Sequence, residues 1–274
     1  MAAADVVSAR AIVCTKEAPG EKAGANWALQ DVKVRAPKDG ELRVRIKYSG
    51  ICHTGKYSKS TWRWLSGAYR SLGASQISSL AASPMASWAA ASPRSWATRV
   101  NMPLHVLASH RVSLTHSSGA GYIEAIGPNC SPAHSVGDPV LLSFAYCQEC
   151  RQCKSAHPGY CPQMGVLNFP GDPDTFQTEQ GAAQGQFFGQ SSFSNVTIAK
   201  EVSVLNVKDL VKDEKELAIF SPLGCGFQTG AGTVASLGDA GPDDYVVIMG
   251  LGGVGLSAIM VHSVRPSCIQ CRHD

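Results

Sequence analysis

Cys147-Gln-Glu-Cys150-Arg-Gln-Cys153, closed by Cys161, constrains this chain more than any other stretch. Four thiols spaced C-x2-C-x2-C-x7-C fall within fifteen residues and can fold round one ion. Thiolate is a soft ligand, and a closed tetrahedral set of four sulfurs is what zinc takes when its role is structural. Two disulfides, or four unrelated core cysteines, are the alternatives. Residues 1–13 lack the basic-then-apolar pattern of a secretory segment, so a reducing, cytoplasmic setting is expected, in which thiols stay free. The spacing therefore predicts a structural zinc lobe over residues 147–161.

A chain of 274 residues with 44% hydrophobic and 16% charged residues is long enough for two domains and a large core. No apolar run reaches the length of a membrane span. The formal charge of +3 hides an imbalance. No Asp or Glu stands between Glu41 and Glu124, whereas ten Lys or Arg do; outside that interval, acids outnumber bases. A basic surplus confined to one interval does not suit a nucleic-acid-binding face, and the four-Cys stretch is not flanked by basic and aromatic residues.

Residues 9–48 read as β structure, with period-2 alternation at 10–14 and 41–48. The second run ends at Gly50-Ile-Cys52-His53-Thr54, which could supply a metal ligand, a polar partner and a proton-relay hydroxyl; a buried Cys beside a surface His is the commoner meaning of such a tripeptide. Residues 55–118 then change character. They are rich in Ser, hold Trp62, Trp64, Trp88 and Trp96, and show no sustained period, so weak order is expected. Pattern returns at Gly119-Ala-Gly-Tyr-Ile-Glu-Ala-Ile-Gly127, a strand, and at 135–142, a turn into a strand. Residues 186–207 suggest further strands separated by turns, and 213–219 a short helix with acids in its first turn. Cys130 and Cys14 read as core or turn cysteines, and His105, His110 and His134 as surface residues.

Cys225 stands between two glycines, in Gly224-Cys-Gly226, which lets backbone approach closely and suits a ligand better than packing. Residues 245–249, Tyr-Val-Val-Ile-Met, predict a strand buried on both faces. It runs directly into Gly250-Leu-Gly252-Gly253-Val254-Gly255 and an apolar helical pattern at 256–261. A GxGxxG between a buried strand and a helix is a dinucleotide fingerprint, with pyrophosphate held at the helix N-terminus. A second strand, with the acid that would read the ribose, does not follow. Cys268 and Cys271 in the tail read as coincidence.

Together these motifs resemble the zinc-dependent medium-chain alcohol dehydrogenases. The residues that carry the resemblance are Gly50-Ile-Cys-His-Thr54, Gly119-Ala-Gly121 with Ile126-Gly127, the four-Cys lobe, Gly224-Cys-Gly226 and Gly250–Gly255. The stretch Phe187-Phe-Gly-Gln-Ser-Ser-Phe193 is most similar to the aryl- and benzyl-alcohol branch. The resemblance implies a mixed α/β and all-β chain. A GroES-like β-barrel catalytic domain would span residues 1–222, and the start of a Rossmann nucleotide-binding domain, incomplete, residues 223–274. It implies that Cys52 and Cys225 ligate a catalytic zinc, that Thr54 relays the alcohol proton, and that His53 lies near the cofactor pyrophosphate. Gly250, Gly252, Gly253, Val254 and Gly255 would form the pyrophosphate turn. NAD or NADP would accept hydride from a small primary alcohol, giving the aldehyde, and relatives of this kind are homo-oligomers.

The departures are specific. Gly55 stands where the family has Asp. Alignment on Gly119 puts Ser117 and Ser118 where the family has a zinc-binding His and its Glu neighbour. His116 is one residue out, which on a strand means the opposite face. The breaks at 55–118 and after 262 begin abruptly beside well-matched motifs, as divergent splicing, intron read-through or out-of-frame sequence would produce. The expectation is an impaired dehydrogenase-family chain; a non-catalytic zinc-binding protein is the alternative.

Overall fold

The computed structural model describes residues 5–16, 25–50, 118–238 and 246–264. Two antiparallel sheets make up the body. The first orders its strands β1-β2-β6-β7: Val7–Lys16, Ala25–Val34, Asp172–Thr178 and Gly181–Gly185. The second runs β8-β3-β4-β5-β9: Val196–Lys200, Glu41–Ser49, Gly119–Ile126, Pro139–Leu142 and Val204–Asn206. Period-2 patterning explains the central strands. Leu42 and Val44 of β3 and Ile123 of β4 point into one core with Val140, Leu142 and Ala199.

The sheets curl onto each other through residues 193–195. The Ile12 amide donates to the Phe193 carbonyl at 2.9 Å, and the Ile46 amide to the Asn195 carbonyl at 2.9 Å, so one short segment serves β1 and β3 at once. Val196 and Ile198 of the second sheet accordingly share a core with Ala9, Ala11, Val13, Val34 and Phe176 of the first. That is a half-barrel, and its strand edges are partly protected by the curl.

A buried ion cluster fixes the seam. Arg35, just after β2, donates to both carboxylate oxygens of Glu41, at 2.5 and 2.9 Å, and to Asp172 at 2.7 Å. The Lys38 amide and the Gln186 side chain also donate to Glu41. Burial opposes the Glu41 charge, but these donors outweigh it and hold its carboxyl below the usual range. Asp172 is likewise lowered: burial opposes it, while the Asp174 amide and Arg35 prevail.

The outer face of the second sheet is covered by α3, Glu214–Phe220, whose Leu217 packs with Ala120, Leu141 and Val207. Asp213 caps this helix by accepting the Glu216 amide at 2.9 Å, one residue from the start expected from sequence. Two short helices precede it, α1 at Arg151–Lys154 and α2 at Met164–Asn168. After it come α4, Gln228–Gly232, and α5, Gly253–Val264. No helix among the described residues is long and apolar enough to cross a membrane.

Two expectations need correction. Residues 246–250 form no strand; Val247 is 82% and Met249 93% exposed. A strand needs a neighbour to receive its backbone groups, and none of the described strands lies beside it. Residues 186–207 do hold strands separated by turns, β8 and β9, and these are preceded by a 3-10 turn, Phe187–Gly189, with Gln186, Phe188 and Ser191 at positive φ. His134 is not a surface residue: its side chain is only 10% exposed and stands 3.3 Å from the Glu201 carboxylate. Cys130 does pack against the core. Residues 55–117, Cys14's side chain, His105, His110, Cys268 and Cys271 lie outside the described residues.

Candidate metal centre and catalytic corner

The lobe is built by three local turns. Left-handed backbone at Gln148 (φ 62°) reverses the chain after Cys147. Cys150 then caps α1, its sulfur accepting the Cys153 amide at 3.4 Å, and Cys153 lies within that helix. A second left-handed residue, Ala156, and the turn Pro158–Tyr160 bring Cys161 back, buried at 3% exposure. All four sulfurs lie within 4.8 Å of one another. Cys150 and Cys153 are 3.4 Å apart, Cys147 and Cys153 3.8 Å. A tetrahedral zinc–thiolate site requires about 3.8 Å between sulfurs, given its bond length. The donor set fits zinc.

The surroundings set the thiols apart in acidity. The Cys150 and Glu149 amides pull Cys147 down to about 6. Burial first, then hydrogen bonds with Cys150 and Cys161, push Cys153 up to about 12. Sulfurs this close cannot all be thiolates without a cation among them.

Asn168, fully buried at the end of α2, ties the lobe to the body. Its side chain accepts the Ala145 amide at 2.7 Å and donates to the Ala145 carbonyl at 2.8 Å, completing both backbone groups of one residue. Sequence reading missed this residue, because a lone Asn carries no periodic signal.

A second constellation gathers where β3 ends. Cys52, His53 and Thr54 lie outside the described residues, but the strand that leads to them is placed. Ser49 pairs with Gly119, and a Cβ on Gly50 would stand 2.8 Å from the Ser118 hydroxyl and 3.1 Å from Pro222 Cα. Ser118, at the position of the family's Glu, is buried; its carbonyl accepts Ser192 Oγ at 2.7 Å, and Ser192 shares a 2.9 Å hydrogen bond with Ser49. Ser192 was legible only as part of the Phe187–Phe193 resemblance. Ser117 lies outside the described residues.

Cys225 reaches the same corner from the other side. It sits half-buried in a π-helical turn, Leu223–Phe227, a form often found at functional sites. A Cβ on Gly224 would collide with the Leu142 carbonyl oxygen at the end of β5, so only glycine lets this turn lie on the sheet. The Gly224 carbonyl accepts Ser143 Oγ at 3.1 Å and the Gln228 side chain at 2.8 Å. Behind the turn lies the glycine motif. Gly250 adopts φ +99°, the chain doubles back so that Gly255 meets the Gly250 carbonyl, and α5 begins at Gly253. A Cβ on Gly226 would touch Val254 at 3.8 Å, and one on Gly253 would meet the Phe227 ring at 3.1 Å. The structure thus brings the Leu223–Phe227 turn and the glycine turn into contact.

A curled antiparallel body carrying a four-thiol lobe and handing over to a glycine turn is the architecture of the Alcohol dehydrogenase GroES-like domain, whose family profile matches residues 95–209. That match begins inside the acid-free stretch. Geraniol dehydrogenase of Castellaniella defragrans is 31% identical over 261 residues, covering 93% of this chain and 55% of its own length. Among solved structures, an alcohol dehydrogenase zinc-binding domain protein from Burkholderia ambifaria superposes with a TM-score of 0.67 at 27% identity, over 95% of this chain and 57% of that one. Benzyl alcohol dehydrogenase from Acinetobacter calcoaceticus gives 0.64 at 28%, over 94% and 56%. Over these lengths the chain is similar to zinc-type medium-chain alcohol dehydrogenases. It spans about half the length of the curated relatives it matches.

Proposed function

We propose that this chain carries the zinc lobe and part of the active site of an NAD(P)-dependent alcohol dehydrogenase acting on primary, including aromatic, alcohols. Residues 1–222 are its catalytic domain and residues 223–274 the beginning of its nucleotide-binding domain. One observation carries the reading: the Cys225 turn, the end of β3 and the Gly250–Gly255 turn converge on one corner. When bound there, zinc would supply a Lewis acid to an alcohol oxygen, and NAD or NADP a hydride acceptor. The chain's own residues have separable tasks. Cys52 and Cys225 would hold the metal, and Thr54 would take the alcohol proton. Gly250, Gly252, Gly253, Val254 and Gly255 would bring backbone amides to the pyrophosphate, with His53 beside it. Cys147, Cys150, Cys153 and Cys161 would hold the structural zinc.

The same corner argues against turnover by the 274 residues alone. Ser117 and Ser118 occupy the places of the family's His and Glu, which leaves two thiolates where three protein ligands are needed. Among the described residues, 246–250 pair with no strand, so no described sheet backs the Gly250–Gly255 turn. Negligible oxidation of benzyl alcohol with either nucleotide is expected. A chain in which Ser117 and Ser118 are replaced by His and Glu, joined to a complete coenzyme domain, should oxidise it. Robust NAD-dependent turnover by the unaltered chain would refute the impairment. Failure of the repaired enzyme would refute the catalytic assignment.

A further inference from the structure

We propose that Cys150 and Cys153 form an oxidation site, at which a hydroperoxide closes a disulfide and expels the lobe's zinc. This rests on the zinc reading of the lobe given above. The two sulfurs are 3.4 Å apart, closer than Cys147 and Cys153 at 3.8 Å. They belong to one turn: Cys150 is the N-cap of α1 and Cys153 lies inside it. A disulfide is about 2.05 Å long, so side-chain rotation within that turn suffices to bring them together. Both are half-exposed, whereas Cys161 is 3% exposed and shielded from a solvent-borne oxidant. Cys147, also half-exposed, lies farther from Cys153, at 3.8 Å, on the other side of the left-handed turn at Gln148.

The chemistry balances. The thiolate of one cysteine attacks the peroxide; the O–O bond breaks, and with one proton an alcohol (water, from hydrogen peroxide) leaves a sulfenic acid. The second thiolate attacks that sulfur, the S–O bond breaks, and with a second proton water departs as the S–S bond forms. The pair of sulfurs loses two electrons and the peroxide gains them. Two of four donors are then consumed, and Cys147 with Cys161 cannot hold the ion alone. A disulfide across one helical turn ties no distant parts together. The Asn168 clamp stays intact, and a dithiol should restore the site.

The test uses the zinc-loaded 274-residue chain. It is treated with hydrogen peroxide beside a chromophoric zinc chelator, then digested and mapped by mass spectrometry. The expected result is release of about one zinc per chain, a Cys150–Cys153 disulfide as the main linkage, and recovery of zinc binding after dithiothreitol. Zinc retained under peroxide, or released with a different cysteine pair or sulfinic acids as the main product, would overturn the inference and leave the lobe reading standing. A chain that holds no zinc before treatment would overturn the lobe reading, and this inference with it.

Discussion

The lobe and the catalytic corner are both built round cysteines, yet they are assembled in opposite ways. The lobe draws four thiols from residues 147–161, and its backbone turns place the sulfurs within 4.8 Å of one another. The corner draws on the end of β3, the start of β4, the end of β5 and the Leu223–Phe227 turn, separated by long stretches of chain. A contiguous site survives divergence elsewhere in the chain. A composite one fails when any contributor changes, and here Ser118 stands at one of the contributing positions. The lobe should therefore keep its metal while the corner does not turn over substrate.

Metal removal gives the largest expected effect, because ligand binding and local folding are one equilibrium in such a lobe. Stripping zinc with a strong chelator should speed hydrogen exchange at 147–161 by orders of magnitude and leave β3 and β4 protected. Hydrogen-exchange mass spectrometry checks this. Loss of protection in both regions together would break the independence of the lobe.

A smaller effect should come from Gly224→Ala. Its Cβ would meet the Leu142 carbonyl oxygen, a backbone atom that cannot rotate away. Overpacking of this kind costs about 1–3 kcal/mol, visible as a lower midpoint in urea unfolding. Zinc content of the lobe should not change.

The difference between the two regions also explains what was legible in the sequence. Spacing alone located the lobe, because every ligand is local. Alternation located β1 and β3, and flanking glycines and turn residues located β4 and β5. The hairpin of β6 and β7 was not foreseen: Asp-Pro-Asp at its start and Gly-Ala-Ala-Gln-Gly in its second strand have little strand preference, and the pairing is imposed by the neighbouring β2. The apolar run 245–249 misled for the converse reason. Composition said buried strand, but burial needs partners, and Val247 and Met249 are exposed. Arg35, Glu41, Asp172 and Gln186 come from four places in the chain, so no local pattern announces their cluster. Cys225 between its two glycines and the Gly250–Gly255 turn were legible locally, but their meeting at one corner was legible only through family resemblance, and Cys52, His53 and Thr54 lie outside the described residues.

The smallest expected effect concerns that cluster and acid. Glu41 and Asp172 have folded-state pKa values held below their ordinary ones. Each therefore stabilises the fold above its unfolded pKa, and that contribution is lost as pH falls through the depressed folded value. The chain should lose stability as pH drops below about 4. Glu41→Gln should be less stable at neutral pH and show a shallower acid loss, measured by thermal unfolding across pH. An unchanged acid profile would remove the cluster from the account.

Zinc stoichiometry in three proteins tests most directly whether the lobe stands apart from the corner. After dialysis against a mild chelator, the unaltered chain should retain about one zinc by elemental analysis. Cys225→Ser should retain the same amount, and Cys150→Ser should retain none. Zinc lost from Cys225→Ser but kept by Cys150→Ser would contradict the account.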